Sequence, residues 1–409
     1  MAQHKSLPVA PDSPSVPTAD SALSRQPRQE TPAWLRGIYA ALCLYLFLAA
    51  LNIIGSGLGL FGEESDFLLR AFAYGENPFV ALMGGVLVTA VVQSSSFTTA
   101  LIVTLVATGE MTLGTAIFAI MGANIGTSVT AVMVALANLR IRAHFRRSFT
   151  AALLHDLFNL LTVAVLFPLE WASGALDEQG RGVLTRTAAW LSDAIGMEEV
   201  ARPDSPIKVI TAPLVDSADW LAGAIMPTAI AHGLLLAALG LALMFAALLL
   251  MVRNLQGALL RNMDGLFRTY FFRNDLSSYG VGAVSTVMVQ SSTITTSLMV
   301  PLAGAGVVPM RRLLPFMMGS NLGTTVTSVL AATANPVAAA LTVAFVHVLF
   351  NLAGTAIWYP LRRIPMAIAN WYADLAAQTA RYAFLFLFVV FLVIPVLGIA
   401  LTEFILRFD

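Results

Sequence analysis

Several uninterrupted apolar runs in this chain reach the ~20 residues a helix needs to cross a bilayer. No other feature limits its fold so severely. The apolar segments fall near 37–60, 76–107, 112–138, 149–168, 226–252, 276–306, 313–333, 338–360 and 381–405. Only 11% of the residues are charged, against roughly 25% in a soluble domain. The expected class is an all-α integral membrane protein that crosses the plasma membrane several times.

The remaining composition removes other classes. Net charge is zero, so no basic field points to nucleic acid. Cys43 is the single cysteine, and the scattered histidines form no metal-ligand cluster. There is no P-loop and no nucleophile–base pair, so the chain does not read as an enzyme. Residues 1–35 are rich in Pro, Ser, Thr and Gln and read as a disordered cytoplasmic tail rather than a cleaved signal peptide.

Charge asymmetry orients the spans. The stretch 139–147 carries Arg140, Arg142, Arg146 and Arg147 without an acid, and 253–275 carries Arg253, Arg261, Arg268 and Arg273. Arg-rich connections stay in the cytoplasm. The longest polar interruption, 169–225, holds nine acids against four bases and is expected outside. By this parity 76–107 begins and ends outside, while 276–306 begins and ends inside. The centre of each is a polar patch unsuited to lipid, and irregular backbone at that depth survives only inside protein or beside water. Such a segment could be two short spans or a re-entrant hairpin; both are expected to be re-entrant helical hairpins, entering from opposite sides, within a total of about seven to eight transmembrane helices.

The two patches belong to an internal repeat. Residues 93–130 and 290–327 align without a gap, with 16 identities in 38 positions. Further on, His155-Asp156-Leu157-Phe158-Asn159 pairs with His347-Val348-Leu349-Phe350-Asn351. Inverted repeats with interrupted segments near the midplane are a transporter architecture, with the site at the repeat interface. The expected division is a first repeat at 36–170, an extracytoplasmic loop at 171–225, a second, inverted repeat at 226–365 and C-terminal helices at 366–409.

The repeated polar residues point to chemistry. Gln93-Ser94-Ser95-Ser96-Phe97-Thr98-Thr99 matches Gln290-Ser291-Ser292-Thr293-Ile294-Thr295-Thr296. If each motif opens a helix, serine is a good N-cap, and the free first amides attract an anion with no cationic side chain required. The partner motifs are Gly122-Ala123-Asn124-Ile125-Gly126-Thr127-Ser128 and Gly319-Ser320-Asn321-Leu322-Gly323-Thr324-Thr325. Glycines on both sides of the asparagine can break the helix and free carbonyls, and small residues also let helices pack closely. Sodium prefers such oxygen ligands. Ser and Thr in these helices can equally bond back to their own backbone. Asp156 lies in an apolar run where a buried acid is functional by default, the alternative being a salt bridge to the 140–147 arginines. His155, His347, Asn159 and Asn351 read as hydrogen-bonding glue between helices.

The paired Gln-Ser-Ser motifs, each followed by Gly-x-Asn-x-Gly-Thr, resemble the type II sodium–phosphate cotransporter family. Phe145-Arg146-Arg147, His155-Asp156-x-Phe158-Asn159, Pro168-Leu169-Glu170, Lys208-Val209-Ile210-Thr211 and Trp358-Tyr359-Pro360 extend the resemblance over roughly residues 35–405. It implies a secondary transporter that takes up inorganic phosphate with sodium and needs no cofactor beyond the coupling ion. Phosphate would lie against Ser94, Ser95, Ser96, Ser291, Ser292 and Thr293. Sodium would draw on Gln93, Thr98, Thr99, Asn124, Thr127, Ser128, Asp156, Gln290, Thr295, Thr296, Asn321, Thr324 and Thr325. An acid at Asp156 implies net charge movement. Thr293 replaces a usual third serine, and the short outer loop without cysteines fits a bacterial inner-membrane member. The expected assembly is a monomer or homodimer with one transport site per protomer, in lipid and without nucleic acid. Two other functions stay open from the residues: symport of another oxyanion such as a small carboxylate, and a non-transporting scaffold or sensor.

Overall fold

The computed structural model describes residues 32–62, 77–194, 206–266, 271, 273–334 and 336–406. Of the proposed tail, 1–35, residues 1–31 lie outside the described residues, as does Arg268, while its last three residues open the first helix. Among the described residues there is no strand. Helix α1 is Ala33–Gly62. The first repeat continues with α2 Pro78–Val92, α3 Ser95–Ala107, α4 Leu113–Gly126, α5 Val129–Leu136 and α6 Arg142–Ala175. Helices α7, Val183–Ala194, and α8, Pro206–Ile225, follow. The second half comprises α9 Ala229–Leu266, α10 Asp275–Val289, α11 Ser292–Gly304, α12 Met310–Ala334 and α13 Ala338–Trp358. Helices α14, Arg363–Gln378, α15, Arg381–Phe388, and α16, Ile394–Leu406, end the chain, with a π-helical turn, Val389–Val393, between the last two.

Among the described residues six helical stretches are long and apolar enough to cross a membrane: Gly37–Leu58, Leu113–Leu136, Arg142–Ala175, Ala229–Met251, Ala338–Trp358 and Arg381–Thr402. The expectation of seven to eight also counted 313–333. That segment forms α12, which is 25 residues long, but Ser320, Asn321, Thr324, Thr325, Thr327 and Ser328 dilute its hydropathy.

Two further expectations are corrected. The polar stretch 171–225 contains two helices. Glu170, buried near the end of α6, accepts hydrogen bonds from the Leu184 amide at 2.7 Å and the Thr185 amide at 3.1 Å, so its carboxylate caps α7. Helix α8 docks on α1 through Asn52 Nδ2, which donates to Thr211 Oγ1 at 2.8 Å. Nor does the glycine pair break the helix in both copies. In the first, α4 stops at Gly126 and α5 restarts at Val129; in the second, α12 runs through unbroken. The glycines serve packing instead. A Cβ on Gly122 would stand 2.0 Å from the Leu82 carbonyl oxygen, and one on Gly319 would stand 1.9 Å from that of Tyr279. The close α2–α4 pair therefore has an α10–α12 counterpart.

The core is a set of interleaved clusters rather than one per repeat. One joins α5 and α6 to α10, α11, α12 and α14, through Phe145, Phe149, Phe158, Met299 and Phe316. A second joins α1, α3 and α4 to α9, α12 and α13, through Phe47, Ile120, Met244 and Val343. Each half packs against the other across these clusters.

Candidate substrate and ion site

Each short helix pair meets at a glutamine in the left-handed region: Gln93 has φ 59° and Gln290 φ 55°. They are the only non-glycine residues with positive φ among those described. The left-handed residue ends one helix and the serine after it caps the next. The Gln93 amide donates to Thr89 O at 2.8 Å and that of Gln290 to Thr286 O at 2.7 Å. Ser94 Oγ then accepts from the Phe97 amide at 3.2 Å, and Ser291 Oγ accepts from Ile294 at 3.4 Å. The expected N-caps are in place in both copies.

Both glutamine side chains are pinned alike. Gln290 Nε2 donates to Val287 O at 2.7 Å, and Oε1 accepts from Thr327 Oγ1 at 3.0 Å. Gln93 bonds the Ala90 carbonyl and the Thr130 hydroxyl in the same way. Thr130 and Thr327 went unremarked in the sequence, although they close the 38-position alignment as one of its identities.

The two breaks face each other. Ser96 Oγ donates to Gln290 O at 3.2 Å. Beside this contact is a cavity of about 280 Å³ lined by Gln93, Ser94, Thr130, Gln290, Ser291 and Thr293, with Phe245, Leu248 and Leu249 of α9 as its apolar wall. No lysine or arginine lines it, so the attraction it offers an anion comes from the hydroxyls and the α3 and α11 N-termini. Ser94, Ser291, Thr293, Gln93 and Gln290 thus come together around one cavity. Ser95 and Ser292 are buried outside the lining.

The remaining candidates are buried deeper. Thr98, Thr295, Thr296, Thr127 and Thr324 each donate to the carbonyl four residues back, and Thr99, Ser128 and Thr325 to the one three back. Back-bonding therefore accounts for every one of these hydroxyl protons, while the oxygens keep free lone pairs.

Asn124 and Asn321 lie at the centre of a chain of bonds whose directions are fixed. The Asn124 carbonyl can only accept, and it takes Asn159 Nδ2 at 2.8 Å. Asn159 Oδ1 therefore accepts Asn321 Nδ2 at 2.7 Å. Asn321 Oδ1 then accepts His155 Nε2–H at 2.6 Å. This leaves His155 Nδ1 buried without a partner. In the other half the histidine contact recurs but the chain does not: His347 Nε2 faces Asn124 Oδ1 at 3.4 Å, Asn351 Nδ2 donates to the same oxygen at 3.5 Å, and Asn351 Oδ1 is buried without a partner. Each histidine thus reaches the asparagine of the opposite repeat.

Asp156 is 1% exposed and neither carboxylate oxygen has a hydrogen-bond partner. The alternative of a salt bridge to the 140–147 arginines does not hold: both Asp156 oxygens are unpaired, while Arg146 pairs with Asp374 and Arg147 Nε donates to Gly304 O at 2.9 Å. Asp156 stands one turn from Asn159 on α6, on the same face. An unpaired buried carboxylate takes up either a proton or a cation.

The model of the Na+/Pi-cotransporter family matches residues 46–170 and 243–370. The chain belongs to that family. One matched stretch holds Gln93, Asn124 and His155; the other holds Gln290, Asn321 and His347. Among relatives, sodium-dependent phosphate transport protein 2A of Mus musculus is 33% identical over 423 residues, covering 88% of this chain and 66% of that protein. Protein 2A of Oryctolagus cuniculus is 31% identical over 466 residues, covering 98% and 73%. Protein 2B of Homo sapiens is 31% identical over 445 residues, covering 88% and 64%. The chain thus spans just under two thirds of the mouse and human proteins. No solved structure matches it. Family membership and the apolar helices together make it a multi-pass membrane protein.

Proposed function

We propose that the chain is a secondary transporter that couples sodium to the uptake of inorganic phosphate across the plasma membrane by alternating access. The observation that carries this reading is the cavity flanked by Ser94 and Ser291, each capping a helix from a different repeat. Such an end holds an anion through backbone amides and hydroxyls. The names of the relatives supply the substrate and the coupling ion.

In this reading α2–α3 and α10–α11 are re-entrant hairpins of an inverted repeat, entering from opposite sides of the membrane. Phosphate lies against Ser94, Ser291 and Thr293. Ser95, Ser96 and Ser292 supply the amides and hydroxyls of the first helical turns. Gln93, Gln290 and the oxygens of Thr98, Thr99, Thr127, Ser128, Thr295, Thr296, Thr324 and Thr325 serve sodium, with Asn124 and Asn321 ordering the ground between them. Asp156 takes a further sodium, and transport then moves net charge. One site serves each protomer, in a monomer or a homodimer.

The test is uptake of labelled phosphate into proteoliposomes holding the purified chain. An inward sodium gradient should drive accumulation, and an equal potassium gradient should not. Uptake indifferent to the cation sinks sodium coupling. Because no cationic side chain lines the cavity, small carboxylates belong in the competition series; a carboxylate that outcompetes phosphate would reassign the substrate.

A further inference from the structure

A second polar cavity, of about 390 Å³, opens between α1, the end of α3 and α8. Asn52, Ser56, Thr108, Lys208, Thr211 and Asp216 line it. Thr108 directly follows α3, whose first residue, Ser95, adjoins the central serine caps. At 1.5 Å per residue the two ends of that helix are about 18 Å apart, so this cavity is separate from the central one.

Its chemistry is defined by Asn52, which is 8% exposed. The Thr211 hydroxyl donates to Ile207 O at 2.8 Å, so it can only accept from Asn52, which must turn Nδ2 toward it. That orientation leaves Asn52 Oδ1 buried with no partner. A buried acceptor of this kind asks for a donor. The α8 residues on the cavity, Lys208, Thr211, Ala212, Val215 and Asp216, recur at helical spacing and form one face. Lys208 and Asp216 are the charged groups lining it, and among the described residues neither has an ion-pair partner.

A fitting occupant therefore offers anionic oxygens to the Lys208 ammonium and hydroxyl protons to Asn52 Oδ1 and the Asp216 carboxylate. Monobasic phosphate carries both, two unprotonated oxygens and two P–OH groups. Dibasic phosphate has one proton fewer and repels Asp216 more strongly. A sodium ion would sit against the Lys208 ammonium. We propose that this cavity is an accessory binding site for monobasic phosphate. The proposal rests on the reading of the chain as a phosphate transporter for its choice of oxyanion.

The experiment is equilibrium binding of labelled phosphate to the full-length chain carrying Ser94→Ala and Ser291→Ala, which remove the two caps that the central phosphate lies against. Residual binding should strengthen as pH falls from about 8 to about 6, where phosphate gains its second proton. Adding Lys208→Gln or Asp216→Asn should weaken it about tenfold, the loss of one charge-assisted hydrogen bond, while Lys208→Arg should retain it. Both substituted side chains are exposed, so folding is not at stake. Absence of residual binding, or binding that ignores both substitutions, overturns the proposal. Sodium-driven uptake by the unsubstituted chain is measured in parallel. Its absence would sink the transport reading, while this binding result would stand or fall by itself.

Discussion

Two glutamines occupy a backbone region that costs a residue with a Cβ about 1–2 kcal/mol. The cost is offset by what their side chains do: each amide group is clamped between a carbonyl of the preceding helix and a threonine hydroxyl. Thr130→Val and Thr327→Val should each release one clamp, lowering sodium-driven phosphate uptake about tenfold, the cost of a lost buried hydrogen bond at the site. Wild-type rates in both would assign the clamps to folding alone. Asp156 is the second residue whose state matters. Asp156→Asn removes the unpaired carboxylate while keeping its shape, so the variant should still carry phosphate but with about one charge fewer per anion. The ratio of current to labelled phosphate in voltage-clamped membranes reads this directly, each charge being worth ~2.3 kcal/mol per 100 mV. A third case is a broken symmetry. Thr286 and Ser320 hydroxyls bond at 2.6 Å, but the equivalent positions are Thr89 and Ala123, which has no hydroxyl, and Thr89 Oγ1 is buried without a partner. Ala123→Ser should restore the bond and raise thermal stability by about 1 kcal/mol, with Ser320→Ala doing the reverse.

Among the helices, the close pairs α2–α4 and α10–α12 depend on the absence of a side chain. Gly122→Ala and Gly319→Ala each drive a methyl into a backbone carbonyl that has nowhere to move. Each should cost about 1–3 kcal/mol, the range for overpacking, seen as a lower melting temperature in detergent. A neutral result would mean the helices part freely. How far the elements were legible in the sequence follows from the same physics. The serine caps were readable because a polar island in an apolar run has few other uses, and its repetition excluded accident. The left-handed glutamines were not, since that conformation is a habit of Gly and Asn. Helices α7 and α8 hid inside 171–225 because charge along an amphipathic helix looks like charge in a loop. The apolar run closes near 168, yet α6 continues through Pro168 to Ala175 and ends where Glu170 and Ser173 tie it to the start of α7. The interlocking of the two halves could not be read from the chain, because pairing between helices leaves no periodicity.

For the molecule as a whole, the bonds from His155 to Asn321 and from His347 to Asn124 hold the halves together from both sides. Chains divided between residues 194 and 206 and co-expressed should therefore copurify, and His155→Ala with His347→Ala should lower the yield of the pair more than either change alone. A contact made twice, with partners exchanged, is the mark of a two-fold assembly of identical subunits. It is what a half-length polypeptide makes with a copy of itself, and one gene fusion turns such a subunit boundary into an interior. Identical subunits, however, must carry every residue in duplicate. Asp156 has Val348 as its counterpart, so a lone carboxylate at this depth is open only to the joined chain.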